Sequence, residues 1–332
     1  MVPVVNLGEG ARRTLRRWAH ASMSPPHQPG TLLAIHQRSI LLTAGRIAKS
    51  HPDILVIGAS GLDPGPLMVE INSSPGISFS KLGLTPHTRW YFFPRRARRT
   101  DNTVWILSVD GCLDITLPAS HLEKASPLSK TLRIDRGHLK SPWSLPNAHR
   151  LLRTLLEEDL EDGLGWLPHL FPLACERRVA IDAPWLRTFY QTLRRGHWPP
   201  GPLLDRILGQ GPGLTPSGDD ILAGLLLSLH GLSSQKETRA GQTAWVNSLL
   251  HRAQHRTSIV SIAFLRQAAT GRASQSIIAL LKLISRPWEE NTIAEDVIPL
   301  LYRINQIGHT SGIDVIVGAL LGTFALGSKI QR

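Results

Sequence analysis

Cysteine is nearly absent: Cys112 and Cys175 are the only two in 332 residues, and they lie far apart in what read as different domains. That count excludes a disulfide framework or a cysteine-built metal site as the organising feature, and it leaves two separate buried thiols as the expectation. Long apolar runs are also lacking. The stretches 221–232 and 313–326 are the most apolar, but both are short and broken by glycine, so no transmembrane segment is expected. Residues 1–20 carry early arginines and no continuous apolar core, so no signal peptide is expected either. A reducing cytoplasm is the compartment that fits these absences.

Acidic residues are outnumbered, 25 against 37 lysines and arginines, which gives a net charge of +12. Such a balance invites a nucleic-acid reading, yet the basic residues are dispersed and no DNA- or RNA-binding motif accompanies them. The main clusters are Arg12-Arg13 with Arg16-Arg17, and Arg95-Arg96 with Arg98-Arg99. A solvated basic face, or one that meets an acidic partner, is the expectation. His251 and His255 would share a helical face, but no glutamate follows His251 and no Cys-x-x-Cys supports zinc. Trp143, Trp166, Trp185 and Trp198 read as core or interface residues, because a base-stacking platform would interleave them with basic residues on strands.

Hydrophobic residues make up 42% of the chain and charged ones 19%, a globular composition long enough for two domains. Residues 1–145 look β-rich, with short apolar or alternating segments at 31–35, 54–58, 67–71, 104–109 and 113–117. Asp110-Gly111 suggests a hairpin between the last two, and the basic segment 94–99 reads as an exposed loop. No helices alternate with these strands, which favours a small barrel or sandwich over a doubly wound sheet. From Asn147, read as a cap, the periodicity turns helical, with Leu151, Leu152, Leu155, Leu156 and Leu160 at three- and four-residue steps and Gly163 as a stop. A second helix starts at Asp182-Ala183-Pro184 and ends before Gly196. Others follow at about 241–255, 259–270, 275–285, 292–307 and 313–326, the fourth with a capping box of Thr292 and Glu295. The expected fold is therefore α+β: a β-rich barrel- or sandwich-like domain (1–145), then a mainly helical domain (146–332).

The helical half is organised around Gly209-Gln210-Gly211-Pro212-Gly213-Leu214-Thr215-Pro216-Ser217-Gly218-Asp219-Asp220. Its glycines and prolines permit tight turns and close ligand approach, and an apolar helix follows at once. Free N–H groups at a helix start favour an anion, whereas two adjacent aspartates repel one unless a cation or basic group intervenes. Ser217-Gly218-Asp219-Asp220 recurs in part as Ser311-Gly312-Ile313-Asp314, with glycine again in mid-helix at Gly224 and Gly318. A mid-helix glycine costs roughly 1 kcal/mol relative to alanine. Its double use predicts that the two helices cross at their glycines and bring Ser217–Asp220 and Gly308–Gly312 to one pocket.

The residue types limit what that pocket can do. Thr215, Ser217, Thr310 and Ser311 offer hydroxyls, and backbone N–H groups at Gly211, Gly213, Gly218 and Gly312 offer anion donors. Asp219, Asp220 and Asp314 could hold Mg²⁺ through water, orient an amide NH₂ or act as a base, and Mg²⁺ is the only cofactor expected. His309 could donate to a carbonyl or phosphate oxygen. Thr257-Ser258 forms a third polar helix start that could close the pocket.

The loop at Gly209–Asp220, the segment from Thr257-Ser258 to Gly271, and Gly308-His309-Thr310-Ser311-Gly312-x-Asp314 with Gly318 resemble the signature of the AllH-type family. The resemblance is specific over about 205–326 and general over the β-rich leader. It implies a subunit of an oxamate carbamoyltransferase working with FdrA-type and AllG-type subunits, which converts oxalurate and phosphate into oxamate and carbamoyl phosphate. By that resemblance the loops would bind phosphate or carbamoyl phosphate, and the aspartates a carbamoyl NH₂ or a metal. Two other classes share the same residues: a subunit of an ATP-dependent carboxylase or ligase acting through a carboxyphosphate-like intermediate, and a non-catalytic assembly subunit.

Overall fold

A computed structural model describes residues 2–21, 30–43, 53–73, 78–86, 88–96, 103–109, 112–123, 128, 130–158, 184–233 and 240–327. The chain divides into two compact units, Met1–Leu132 and Arg133–Arg332. The fold is α+β, a β-barrel followed by a helical region.

The first unit contains β1 (Val2–Leu7), α1 (Glu9–Ala21), β2 (Gly30–Ile35), β3 (Ser39–Thr43), β4 (Ile54–Ala59), β5 (Met68–Ile71), β6 (Arg89–Arg96), β7 (Thr103–Val109), β8 (Leu113–Pro118) and the short α2 (Ala119–Glu123). The strands close in the order β1-β5-β4-β3-β2-β6-β7-β8. Parallel pairing of Val2 with Ile115 and Pro3 with Thr116 joins β1 to β8 and removes the open edges. Alternate residues such as Leu32, Ile40, Leu42, Leu107 and Ile115 fill the core together with Ala11, Leu15 and Trp18 of α1. Trp18 lies 4.4 Å from Trp90, and Phe92 stacks on Trp105 at 4.8 Å.

Several expectations change here. Pro94, Arg95 and Arg96 are not loop but the end of β6, opposite Trp105, Val104 and Thr103. Proline is tolerated because β6 pairs with β2 only at Arg89 and Trp90, so no ladder bond to β2 is lost at residue 94. The β7–β8 pairing is antiparallel as expected, although its turn residues Asp110 and Gly111 lie outside the described residues. Cys112 is exposed, not buried, and Cys175 is outside the described residues. Arg12 does not face solvent freely: it donates to Glu9 at 2.7 Å and to the carbonyl of Leu122 at 3.2 Å.

The second unit contains α3 (Ser144–Glu157), α4 (Pro184–Arg194), α5 (Gly201–Ile207), α6 (Ser217–Leu232), α7 (Ala240–Arg256), α8 (Ile259–Ala269), α9 (Gln275–Leu283), α10 (Ile298–Asn305) and α11 (Ser311–Gly327). A helix apolar on all sides belongs inside a bundle. Accordingly α6 and α11 are buried almost throughout and form the central pair, with α8 packed on α6 and with α3 and α4 packed on α11.

Asn147 is not a cap of its own helix. It sits inside α3, and its buried amide donates to the carbonyls of Ile284 (3.1 Å) and Arg286 (2.7 Å) just beyond α9. Thr292 and Glu295 form no capping box: Thr292 Oγ1 accepts the Glu289 N–H at 2.9 Å, the Glu295 N–H goes to the Asn291 carbonyl, and Ile293–Val297 makes a π turn leading into α10. Trp143 is 47% exposed, while Trp198 stacks on Trp245 at 5.3 Å and Trp185 packs against the core. Trp166, Gly163, Asp182 and Ala183 lie outside the described residues.

Candidate functional site

The central pair is built around its glycines. A Cβ on Gly224 would meet the Val315 carbonyl oxygen at 1.9 Å, and one on Gly318 would meet that of Ile221 at 1.9 Å. Each contact is the other's counterpart in the repeat, so α6 and α11 cross as two copies of one element. Farther along, Ser228 Oγ donates to the Ala319 carbonyl at 2.6 Å. From Gly224–Val315 to Ser228–Ala319, and from Ile221–Gly318 to Leu225–Gly322, the contacts advance together along both helices, so the helices run parallel and their N-termini converge. Parallel macrodipoles put two partial positive charges together, which favours negative charge at that end.

Each helix start is fixed by a preceding glycine contact. A Cβ on Gly218 would lie 2.0 Å from the Ile207 carbonyl oxygen, and one on Gly312 would lie 2.0 Å from that of Ile304. The repeat thus extends back into α5 and α10, where Pro202-Leu203-Leu204-Asp205-Arg206-Ile207 matches Pro299-Leu300-Leu301-Tyr302-Arg303-Ile304. This Pro-Leu-Leu-x-Arg-Ile signal is legible in the chain but easily missed, because the intervening loops differ in length. The first loop is longer and turns through left-handed Gly209 (φ 74°), Gly211 (φ 112°) and Gly213 (φ 93°). Its Gly218 N–H is already bonded to the Gln210 carbonyl at 2.9 Å, closing the loop on itself.

The three aspartates separate into two roles. Asp219, 1% exposed, accepts from the Gly209 N–H at 2.9 Å and from the Thr257 hydroxyl, so it braces the loop against the start of α8. Burial raises its pKa, opposed by the bonds from Thr257, Gly209 and Ser261. Ser258 caps α8 by accepting the Ser261 N–H at 3.0 Å, and its hydroxyl donates to the Leu214 carbonyl, which Ser261 also reaches at 3.3 Å. Thr257 and Ser258 therefore hold the loop from outside.

Asp220 and Asp314 face the helix crossing. They are 6% and 2% exposed, and each accepts a hydroxyl bond from the first serine of the opposite helix: Asp220 from Ser311, Asp314 from Ser217. Thr215 and Thr310 add a second bond to Asp220 and Asp314 respectively, and the Thr215 and Ser311 hydroxyls meet at 2.9 Å. One oxygen of each aspartate, Oδ2, has no partner among the described residues. Burial pushes the Asp220 pKa well above the usual carboxylate range, and Asp314 and Asp219 push it the same way. Burial also raises Asp314. A buried acceptor without a donor is costly to the fold.

His309 stands exposed on the turn before α11. Among the described residues, no three His, Cys, Asp or Glu side chains converge as a metal-binding group. His251 and His255 meet edge to face at 5.6 Å on the exposed side of α7. No helix of the described residues is long and apolar enough to cross a membrane.

Fold and site together define a helical module with an internal repeat and a pair of buried carboxylates at its converging helix starts. Residues 207–323 match the family model described as oxamate carbamoyltransferase subunit AllH. The match spans both helix starts, the crossing glycines and the bracing helix α8, and the family's name is that of one subunit of a transferase complex. No solved structure matches the chain.

Proposed function

We propose that the chain is a subunit of an oxamate-carbamoyltransferase-type complex, and that the Asp220–Asp314 site binds the carbamoyl group while its anionic partner rests at the helix starts. The observation that carries this reading is the pair of unpartnered Oδ2 atoms on symmetry-related buried carboxylates. A carbamoyl NH₂ presents two N–H donors, which matches two acceptors, and phosphate or carbamoyl phosphate suits two converging helix N-termini.

The conversion of oxalurate and phosphate follows from these groups. A phosphate oxygen attacks the terminal carbamoyl carbon, the C–N bond to the oxamate nitrogen breaks, and that nitrogen takes up a proton. The attacking hydrogen phosphate gives up its proton as the new C–O bond forms, and that proton is the one the nitrogen takes up, while the two Oδ2 atoms hold the carbamoyl NH₂. FdrA-type and AllG-type subunits would complete the site. Phosphate-dependent carbamoyl transfer in the reconstituted complex tests this with Asp220→Asn and Asp314→Asn. Loss of turnover in both is expected, and wild-type turnover in both would remove the pair from the site.

A further inference from the structure

A second cluster lies at the other end of α6, about 15 Å along the helix from Asp220 at ~1.5 Å per residue. His230, in the last turn, is 7% exposed. Its ring lies against Gly271, where a Cβ would come within 2.5 Å of Cδ2, 2.8 Å of Nε2 and 2.8 Å of the Ile134 carbonyl oxygen. Gly271 has φ 76°, so neither its conformation nor its space admits another residue readily. The Ile134 N–H donates to the Gly271 carbonyl at 2.8 Å, and Arg133 and Arg272 pair in an antiparallel bridge. Two arginines are thereby clipped opposite each other beside the imidazole, and the exposed Arg136 follows three residues on.

Like charges placed directly opposite are unfavourable on a β-pair. Arg272 Nη1 donates to Thr270 at 2.8 Å, one of the contacts that position its guanidinium. Neither Arg133 nor Arg136 is in an ion pair among the described residues. Asp135, the one acid in the segment 133–140, is exposed and acts on His138 instead. The C-terminal ends of α6 and α8 favour nearby cations. That accounts for positive charge here but not for the imidazole. His230 bonds the backbone of Ala269, and Nε2 is the nitrogen without a partner among the described residues, so Nδ1 donates to that carbonyl and Nε2 is left as a buried acceptor.

From this geometry we infer a second ligand site, formed by Arg133, Arg136, Arg272 and His230, for a phosphate-type oxyanion that carries a proton. The guanidinium groups donate to its oxygens, and its hydroxyl donates to His230 Nε2. A bare oxyanion such as sulfate satisfies the arginines but presents only lone pairs to Nε2, so the site distinguishes hydrogen phosphate from sulfate. The inference does not depend on the carbamoyl reading of Asp220 and Asp314.

The test is calorimetric titration of the full chain with inorganic phosphate and, separately, with sulfate near neutral pH, while NMR follows the His230 ring. Phosphate should bind more tightly than sulfate and shift the His230 resonances. Arg136→Gln, an exposed change that leaves the core intact, should weaken phosphate by about tenfold or more, the loss expected for a charged hydrogen bond. His230→Gln should erase the preference over sulfate, and Asp220→Asn should leave the His230 shift unchanged. Equal binding of the two anions by the parent, an unchanged affinity in Arg136→Gln, or no His230 shift at millimolar phosphate would each overturn the assignment.

Discussion

The carbonyl oxygen of Val315 occupies the place where a side chain on Gly224 would begin, 1.9 Å from the Cβ position, and the repeat gives Gly318 the same relation to Ile221. Both obstacles are helix backbone, which cannot rotate away as a side chain can. Gly224→Ala and Gly318→Ala should therefore each cost about 3 kcal/mol or more, the upper end of overpacking penalties. That loss outweighs the roughly 1 kcal/mol alanine gains as a helix former. Denaturant unfolding of the helical unit reads the difference. A change within about 0.5 kcal/mol in either variant, the size of an ordinary surface substitution, would contradict this crossing.

That crossing was legible in the chain because its signal is local and doubled: Ser217-Gly218 and Ser311-Gly312, each with an aspartate and a mid-helix glycine at fixed offsets. The split between Asp219 and the other two aspartates was not legible. It depends on Gly209 and Thr257 reaching Asp219, and contacts between distant residues leave no periodic trace. Strand β6 was partly hidden by Pro94 and the arginines after it, which read as an exposed loop although β6 pairs with β2 only at Arg89 and Trp90 and so loses no bond to β2 at residue 94. Helix α1 was hidden by arginines, of which Arg12 is folded back onto Glu9 while Ala11, Leu15 and Trp18 face the core.

Asp220 should be a residue that lowers stability. Its folded pKa is raised, so its favourable contribution is present below the unfolded value of 3.8 and is lost as pH rises through the folded value. Asn keeps the shape, still accepts from Ser311 and does not titrate. Asp220→Asn should thus melt at or above the parent temperature, by an amount that reflects about 1–3 kcal/mol of relieved burial, while losing transfer activity. Its advantage should be larger at about pH 8 than at about pH 5. A variant less stable than the parent at both values would show that the carboxylate supports the fold.

Asn147 ties α3 to the carbonyls of Ile284 and Arg286. Asn147→Ala leaves those buried carbonyls without a donor and should cost about 1–3 kcal/mol. Asn147→Asp should cost more, because an ionised carboxylate has no N–H to offer and would face two oxygens. Equal melting temperatures for the parent and the Asp variant would show that the amide does not make these bonds.

His230 sets a pH dependence of opposite sign to Asp220. Burial first, then Arg136, Arg133 and Arg272, lower its pKa from 6.5 to about 4, against a raising bond to Ala269. Between those two values the unfolded chain takes up a proton that the native imidazole refuses. Stability associated with this group is therefore complete above 6.5 and falls as pH drops toward about 4. One proton gives a slope of at most about 1.4 kcal/mol per pH unit. His230→Gln removes that titration, whereas the raised aspartates act the other way and remain in both proteins. The difference between parent and His230→Gln, followed by denaturant unfolding from about pH 7 to about pH 4.5, isolates the imidazole. The parent should lose stability more steeply, and parallel curves would mean that His230 is protonated as readily in the native protein as in the unfolded one.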